Sequence, residues 1–363
     1  MRRRSFIKQL TAGSAGIALA GCNRAESSRQ NTAKPVLMKL GCQYGDASEE
    51  NLAFKARHGV YHFDPGRPRE IEGVGWDLDH SLEIVEAADK YEISVDAYHL
   101  PRFTHSMLGK SPERDREIEI IQQMIQVAAK SDVRLLLYNT TLLPMVRTGR
   151  TIDPARGNAI YSTFDYEEAA SRGMDRESTE AGVVDADEMY ERITYLLDRL
   201  LPVAEEYNVK LGNHIADPPL PAGFRGITRW NSPDVFEGIK RFARLYDSPS
   251  HGLNLCLGST AEGLRDPATE IFPIIEWVGK RRQIFNIHLR NIKGGWGHFQ
   301  EVYPDNGDVN FVQVMRALRD VEYDGMVMPD HVPQHDDPAG YLQGFAFAYG
   351  YIRALIQMLE TIK

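Results

Sequence analysis

Two hydrophobic patterns alternate along most of the chain. Short aliphatic and β-branched runs occur at VLMKL (36–40), GVYHF (59–63), ISVDAYHL (93–100), RLLLY (134–138), VKLGNH (209–214), GLNLCL (252–257), IFNIHL (284–289) and GMVMPD (325–330). Between them lie longer segments with apolar residues three and four apart, at 81–91, 114–129, 187–207, 232–246, 310–321 and 340–359. Short runs read as strands and the 3.6-residue periodicity reads as helices. Ser232-Pro233-Asp234 predicts a helix start, with Ser232 as N-cap and Pro233 at the first helical position. Eight strand–helix repeats predict an α/β fold of the (β/α)8 TIM-barrel type. The longest stretch with neither pattern, 139–185, follows the fourth strand. In a barrel such a loop lies over the C-terminal ends of the strands, so it predicts a lid or wall there.

The first 34 residues follow a different logic. Arg2, Arg3, Arg4 and Lys8 precede a mildly apolar stretch from Leu10 to Ala20, interrupted by Gly13 and Gly16. That stretch is too short to span a bilayer and reads as a signal peptide. Arg3-Arg4-Ser5-Phe6-Ile7-Lys8 resembles a twin-arginine signal, and Leu19-Ala20-Gly21-Cys22 resembles a lipobox. The expectation is a signal peptide over 1–21, a lipidated Cys22, a polar tether over 22–34 and a TIM-barrel domain over 35–363. The protein would then be exported by the twin-arginine pathway and held by its lipid in the periplasm or at the cell surface.

Composition narrows the partners. The net charge of the 363 residues is -9, and loss of the four cations in residues 1–21 makes it -13. That balance argues against nucleic acid, whose phosphates need clustered Lys and Arg. Membrane contact is expected only through the N-terminal lipid, and a homo-oligomer is left open. Three cysteines (Cys22, Cys42 and Cys256) exclude a disulfide framework, although count alone permits a Cys42–Cys256 bridge.

Chemistry concentrates at the ends of the last four strands. His214 ends the fifth, Cys256 and His288 lie near the ends of the sixth and seventh, and Asp330 ends the eighth. Their separations of 42, 32 and 42 residues are each close to one βα unit, so the side chains should converge on one rim. Mixed nitrogen, sulfur and oxygen donors suit a transition ion such as Mn2+, Fe2+, Co2+ or Zn2+ better than Mg2+. Arg290 and Asn291 follow His288, and Asn139 ends the fourth strand. These three are candidate contacts for substrate carboxylate and hydroxyls.

At GNHIADPP (212–219), SPSHGLNLCLGS (248–259), IFNIHLRNIKGG (284–295), FQEVYPDNGDVN (299–310) and MPDHVPQ (328–334), the sequence resembles the mannonate dehydratase family. The resemblance implies a divalent metal, Mn2+ first, held by His214, Cys256, His288 and Asp330. It places proton transfer on His331 and Tyr341. It implies a hydro-lyase that takes D-mannonate to 2-keto-3-deoxy-D-gluconate, with a small sugar acid as partner. The chain departs from the family pattern at Met328, Val332-Pro333 and Tyr303-Pro304, where Arg, Gly-His and Asp-His are usual. It departs again at Cys42-Gln43, where Arg-Trp is usual. Those departures leave two alternatives: an exported sugar isomerase, epimerase or other lyase, and a non-catalytic sugar-binding lipoprotein.

Overall fold

The computed structural model describes residues 34–109, 112–177 and 179–361. The signal peptide, Cys22 and most of the tether expected from the sequence lie outside them.

The eight strand runs form one parallel sheet that closes on itself. Starting from Ser94–Val95, neighbours follow as His62–Phe63, Lys39–Cys42, Met326–Met328, Ile284–His288, His251–Cys256, Lys210–His214, Leu135–Tyr138 and Ala97–His99. The first and last of these are two halves of the third strand, broken at Asp96. The sheet therefore closes through the split strand, as the eight-unit pattern predicts.

Strand alternation sends Leu135 and Leu137 inward with Ala97, Phe285, Met326 and Met328, which form their own buried cluster. The barrel centre is thus a packed plug, as in other barrels of this type. Phe285 fits only because position 252 is glycine: a Cβ there would sit 2.6 Å from its ring.

Among the described residues, eight principal helices pack outside. Ala186–Glu206 shows why such a segment is helical. Asp185 caps it by accepting a hydrogen bond from Glu188 N, and Met189, Ile193, Leu196, Leu197, Leu200 and Leu201 bury one face. Each buried aliphatic side chain contributes roughly 1.5–3 kcal/mol. The helix expected at 232–246 is Val235–Ala243 instead. Asp234 is the true cap, accepting from Phe236 N and Glu237 N, and Ser232-Pro233 precedes the helix.

The long segment after the fourth strand is not an open loop. It forms a hairpin of Gly149–Asp153 and Ala159–Asp165, which joins Asn291–Gly295 and His298–Val302 in a four-stranded antiparallel sheet. An isolated bridge ties Ile160 to Gln334, in the loop after the eighth strand. Excursions following strands four, seven and eight are thereby laced together beyond the strands' C-terminal ends. Cys42 and Cys256 are both free and buried, so the bridge that count permitted is absent.

Candidate metal centre and active site

Strand register builds the site. Cys256 lies opposite His288, and His288 lies opposite Met328. Two residues beyond Met328, Asp330 returns to the same side of the chain, because side chains alternate along an extended strand. His214 ends its own strand, paired with Asn254. One donor atom from each of His214, Cys256, His288 and Asp330 lies within 4.8 Å of the other three. His214 Nε2 and His288 Nδ1 meet at 3.2 Å, Cys256 Sγ lies 3.5 Å from Asp330 Oδ2, and His288 Nδ1 lies 3.5 Å from Asp330 Oδ1.

Surrounding groups orient these donors. His214 Nδ1 contacts the Ile215 carbonyl at 2.5 Å, which leaves Nε2 for the centre. Gln43 Nε2 donates to Asp330 Oδ1 at 2.9 Å. Asn254 Nδ2 lies 3.1 Å from His288 Nε2, on the side of the ring turned away from the other ligands.

The protonation states suit a cation. Burial pushes His288 down to about 3, so its ring is neutral. Burial opposes ionisation of Asp330, but His331, His288 and Arg290 hold its carboxyl well below the usual range. Burial likewise opposes the Cys256 thiolate, yet Arg290 and His214 bring its pKa below the ordinary thiol value. Burial would lower His214, but Cys256 and Asp330 outweigh it and raise it to about 9. Without a cation the site therefore retains a proton among its donors. Soft thiolate, two imidazoles and one carboxylate fit a divalent transition ion.

Beside this group lies a buried ion-pair network. Arg290 contacts Glu262 at 2.7 Å, Glu301 at 2.5 Å, Asp217 at 2.8 Å and Asp330 at 3.0 Å. Arg147 adds contacts to Asp217 at 2.7 Å, to Glu262 at 3.3 Å and to Glu301. Burial opposes ionisation of Glu301, but the two guanidinium groups outweigh it and lower its pKa. Burial dominates at Glu262 and raises it. Asp217, Glu262 and Glu301 could also be grouped as metal donors, but two guanidinium groups already supply the positive charge.

Three sequence expectations about substrate contacts fare differently. Arg290 is buried and committed to the protein's own carboxylates, so it positions Asp330 and Glu301 instead of facing a substrate. Asn291 donates to the Pro304 and Val309 carbonyls and accepts from Val309 N, which pins the loop after the seventh strand. Asn139 is exposed just beyond the fourth strand. The histidines at 62, 99 and 298 each pair with a carboxylate: Asp96 at 2.6 Å, Asp64 at 2.8 Å and Asp165 at 2.9 Å.

His331 and Tyr341 line one cavity of about 220 Å3, together with Glu301, Arg150, Ser162 and Gln334. His331 Nδ1 is 3.1 Å from Glu301 Oε2, and its Nε2 is 3.7 Å from Asp330 Oδ1. The adjacent Asp330 carboxylate raises His331 to about 9. Burial raises the Tyr341 phenol, whose ring packs edge-on against Tyr44 at 5.2 Å. Sequence reading missed Arg150, Gln43, Asn254 and the acids around Arg290. The family-like runs GNHIADPP, SPSHGLNLCLGS and FQEVYPDNGDVN contain Asp217, Asn254 and Glu301, and Gln43 lies at a departure from the family pattern, but Arg150 and Glu262 carried no signal.

A (β/α)8 barrel with imidazole, thiolate and carboxylate donors converging at the strands' C-terminal ends, beside a polar cavity, defines a barrel enzyme of the metal-site type. Residues 173–363 match the family model described as D-mannonate dehydratase (UxuA). The chain belongs to that family, whose members are hydro-lyases.

Among its relatives is the mannonate dehydratase of Thermotoga neapolitana, 26% identical over 291 residues, covering 71% of this chain and 78% of the relative. That of Shouchella clausii is 27% identical, covering 72% and 79%. The crystal structure of mannonate dehydratase from Streptococcus suis serotype 2 superposes with a TM-score of 0.75 at 23% identity, over 89% of this chain and 95% of that one. A D-tagatose 3-epimerase-like protein shares the fold at a TM-score of 0.55 and 17% identity, over 89% and 98%.

Proposed function

We propose that the protein is a divalent-metal-dependent dehydratase that converts D-mannonate to 2-keto-3-deoxy-D-gluconate. One observation carries this reading: four metal-type donors meet next to a cavity that also holds two proton-carrying side chains. His214, Cys256, His288 and Asp330 would hold the ion, with Mn2+ the first candidate and Fe2+, Co2+ or Zn2+ the others. Such an ion supplies Lewis-acid stabilisation of the negative charge that develops on the substrate as its α-proton leaves.

The chain's own groups do the rest. Arg150 lines the cavity and is matched to the substrate carboxylate, the role the sequence suggested for Arg290. His331 and Tyr341 divide the proton traffic: one takes the proton from C2, and the other serves the hydroxyl departing from C3. The enol left behind gains a proton at C3 and loses the proton of its C2 hydroxyl, which gives the 2-keto-3-deoxy acid. Glu301 and Asp330 fix the His331 ring from two sides. The sheet built from 149–165 and 291–302 forms a wall of the site, and the Gln334 bridge fastens the loop that carries His331.

The test is to incubate the purified protein with Mn2+ and D-mannonate and to measure 2-keto-3-deoxy-D-gluconate. No product from mannonate, with turnover of another aldonic or uronic acid or of a ketose, would replace this reading with the sugar isomerase, epimerase or other lyase. A metal-free protein unchanged by His288→Ala would point to the sugar-binding lipoprotein. For location, we propose twin-arginine export and lipidation at Cys22. Membrane fractionation of wild type against Cys22→Ala checks it: the variant should appear in the soluble fraction.

A further inference from the structure

His288 faces the other three ligands through Nδ1, which lies 3.2 Å from His214 Nε2 and 3.5 Å from Asp330 Oδ1. A ring that binds a cation through Nδ1 must keep that lone pair free. The neutral imidazole then carries its proton on Nε2. A proton on Nε2 needs an acceptor, because His288 is buried and an orphaned donor there is costly.

Asn254 is the side chain in contact with Nε2, at 3.1 Å, and it is fully buried. It presents Nδ2, a donor, to that nitrogen. Its Oδ1 instead accepts from Asn286 Nδ2 at 2.9 Å, and Asn286 is also fully buried. Among the described residues, Oδ1 of Asn286 has no hydrogen-bond partner.

We propose that Asn254 and Asn286 form a reversible amide relay that selects the tautomer of His288 and so tunes the affinity of the metal centre. With the ion bound, both amides turn by half a rotation within the same volume. His288 Nε2–H donates to Asn254 Oδ1, and Asn254 Nδ2 donates to Asn286 Oδ1. Two hydrogen bonds exist in either direction, and one polar atom of Asn286 is left over in either direction, so the reversal itself costs little. The amides are positioning residues: they touch neither substrate nor ion, and they act by fixing which nitrogen of His288 is free. This assignment rests on the metal reading given above, and it names residues outside the ligand set.

The test is a titration of the protein with Mn2+, following the electron paramagnetic resonance signal of the free ion, in wild type, Asn254→Leu, Asn254→Asp and Asn286→Leu. Leucine keeps the volume and removes the acceptor, so the dissociation constant should rise roughly 10–100-fold, the usual effect of losing such an outer partner. A carboxylate can only accept, so Asn254→Asp should bind Mn2+ at least as tightly as wild type. Asn286→Leu should fall between wild type and Asn254→Leu. Wild-type affinity in Asn254→Leu would overturn the relay, and so would a tenfold loss in Asn254→Asp. Should Asn254→Leu fail to fold, the near-isosteric Asn254→Asp decides alone. Failure of wild type itself to bind Mn2+ would instead overturn the metal reading, a different result from wild-type binding that ignores both amides.

Discussion

Replacing Arg290 tests the core of the site through stability, independently of any substrate. In Arg290→Met a buried guanidinium that contacts Asp217, Glu262, Glu301 and Asp330 becomes a neutral side chain that reaches nearly as far. Arg147 still contacts three of those carboxylates, Asp217, Glu262 and Glu301, and leaves Asp330 to other partners. Asp330 keeps His288 and His331 nearby, and Glu262, already raised by burial, can take up a proton. The loss is therefore about that of breaking one buried ion pair, roughly 3–5 kcal/mol, and not several times that. An unfolding entropy of about 2.1 cal/mol/K per residue over the folded unit Lys34–Lys363 gives about 0.7 kcal/mol/K, so the melting temperature should fall by about 4–7 °C. Calorimetry in the presence of a chelator isolates this effect from metal binding. Adding Glu262→Gln removes one of the stranded acids and should restore part of the loss, giving a coupling that the single variants lack. Arg290→Met melting within a degree of wild type, or a double variant that melts at the simple sum of the singles, would refute the idea that this guanidinium balances the buried acids.

Four other outcomes follow from the same geometry. Mn2+ at about a hundred times its dissociation constant should stabilise wild type by about 2.7 kcal/mol, and neither Cys256→Ser nor His288→Ala should show the matching rise in melting temperature. Arg150→Gln should raise KM for the acid substrate roughly 10–100-fold with kcat little changed, since a charge-assisted contact contributes about 1.5–3 kcal/mol; an unchanged KM would remove Arg150 from carboxylate recognition. Tyr341→Phe should lower kcat by about two to four orders of magnitude while Mn2+ affinity stays at wild type. In the metal-free protein, His331 and His214 have folded pKa values of about 9, above their unfolded value near 6.5, so their contribution is fully present below about pH 6.5 and is lost as pH rises through 9. Melting temperature should accordingly drop between pH 7 and 9, and His331→Gln should make that slope shallower.

The barrel and its four donors were legible because both depend on short-range regularities. A strand of three to six residues ends at a nearly fixed place in a βα unit, so His214, Cys256 and His288 at their strand ends, and Asp330 two residues past its own, declare their level by position alone. The partners of Arg290 could not be read that way. Asp217, Glu262 and Glu301 come from three separate excursions, and nothing in the chain tells an acid that will face a buried guanidinium from one that caps a helix. The need for carboxylates around Arg290 was visible; that the protein itself provides them was not. Asn291 misled for a related reason. The direction of the chain changes after His288 to begin the Asn291–Gly295 strand, so simple alternation no longer says which way the amide points. Ser232-Pro233 carried a valid helix-start signal, but Asp234 follows immediately and accepts the two backbone N–H bonds, which shifts the helix by a few residues.

The departures from the family pattern acquire different meanings once placed in the fold. Met328 is fully buried in the plug with Ala97, Leu135, Phe285 and Met326, so a change from arginine there alters the barrel's interior and not the cavity wall. Tyr303 packs against Tyr161 and Phe347 and lies under Arg156, away from the four donors' contacts. Gln43 does reach the centre, but as an amide donor to Asp330 it supports a ligand. Of these positions, Val332 and Pro333 line the cavity, which His331 and Arg150 also line. Two apolar residues next to one guanidinium leave room for a carboxylate at one end of a ligand and demand fewer hydrogen bonds along the adjacent wall. Any change in substrate relative to other members of the family should therefore trace to the 331–334 loop and the 149–165 hairpin. Grafting Gly-His at 332–333 should shift the preference among aldonic acids while Mn2+ affinity stays fixed, because none of the four donors is touched.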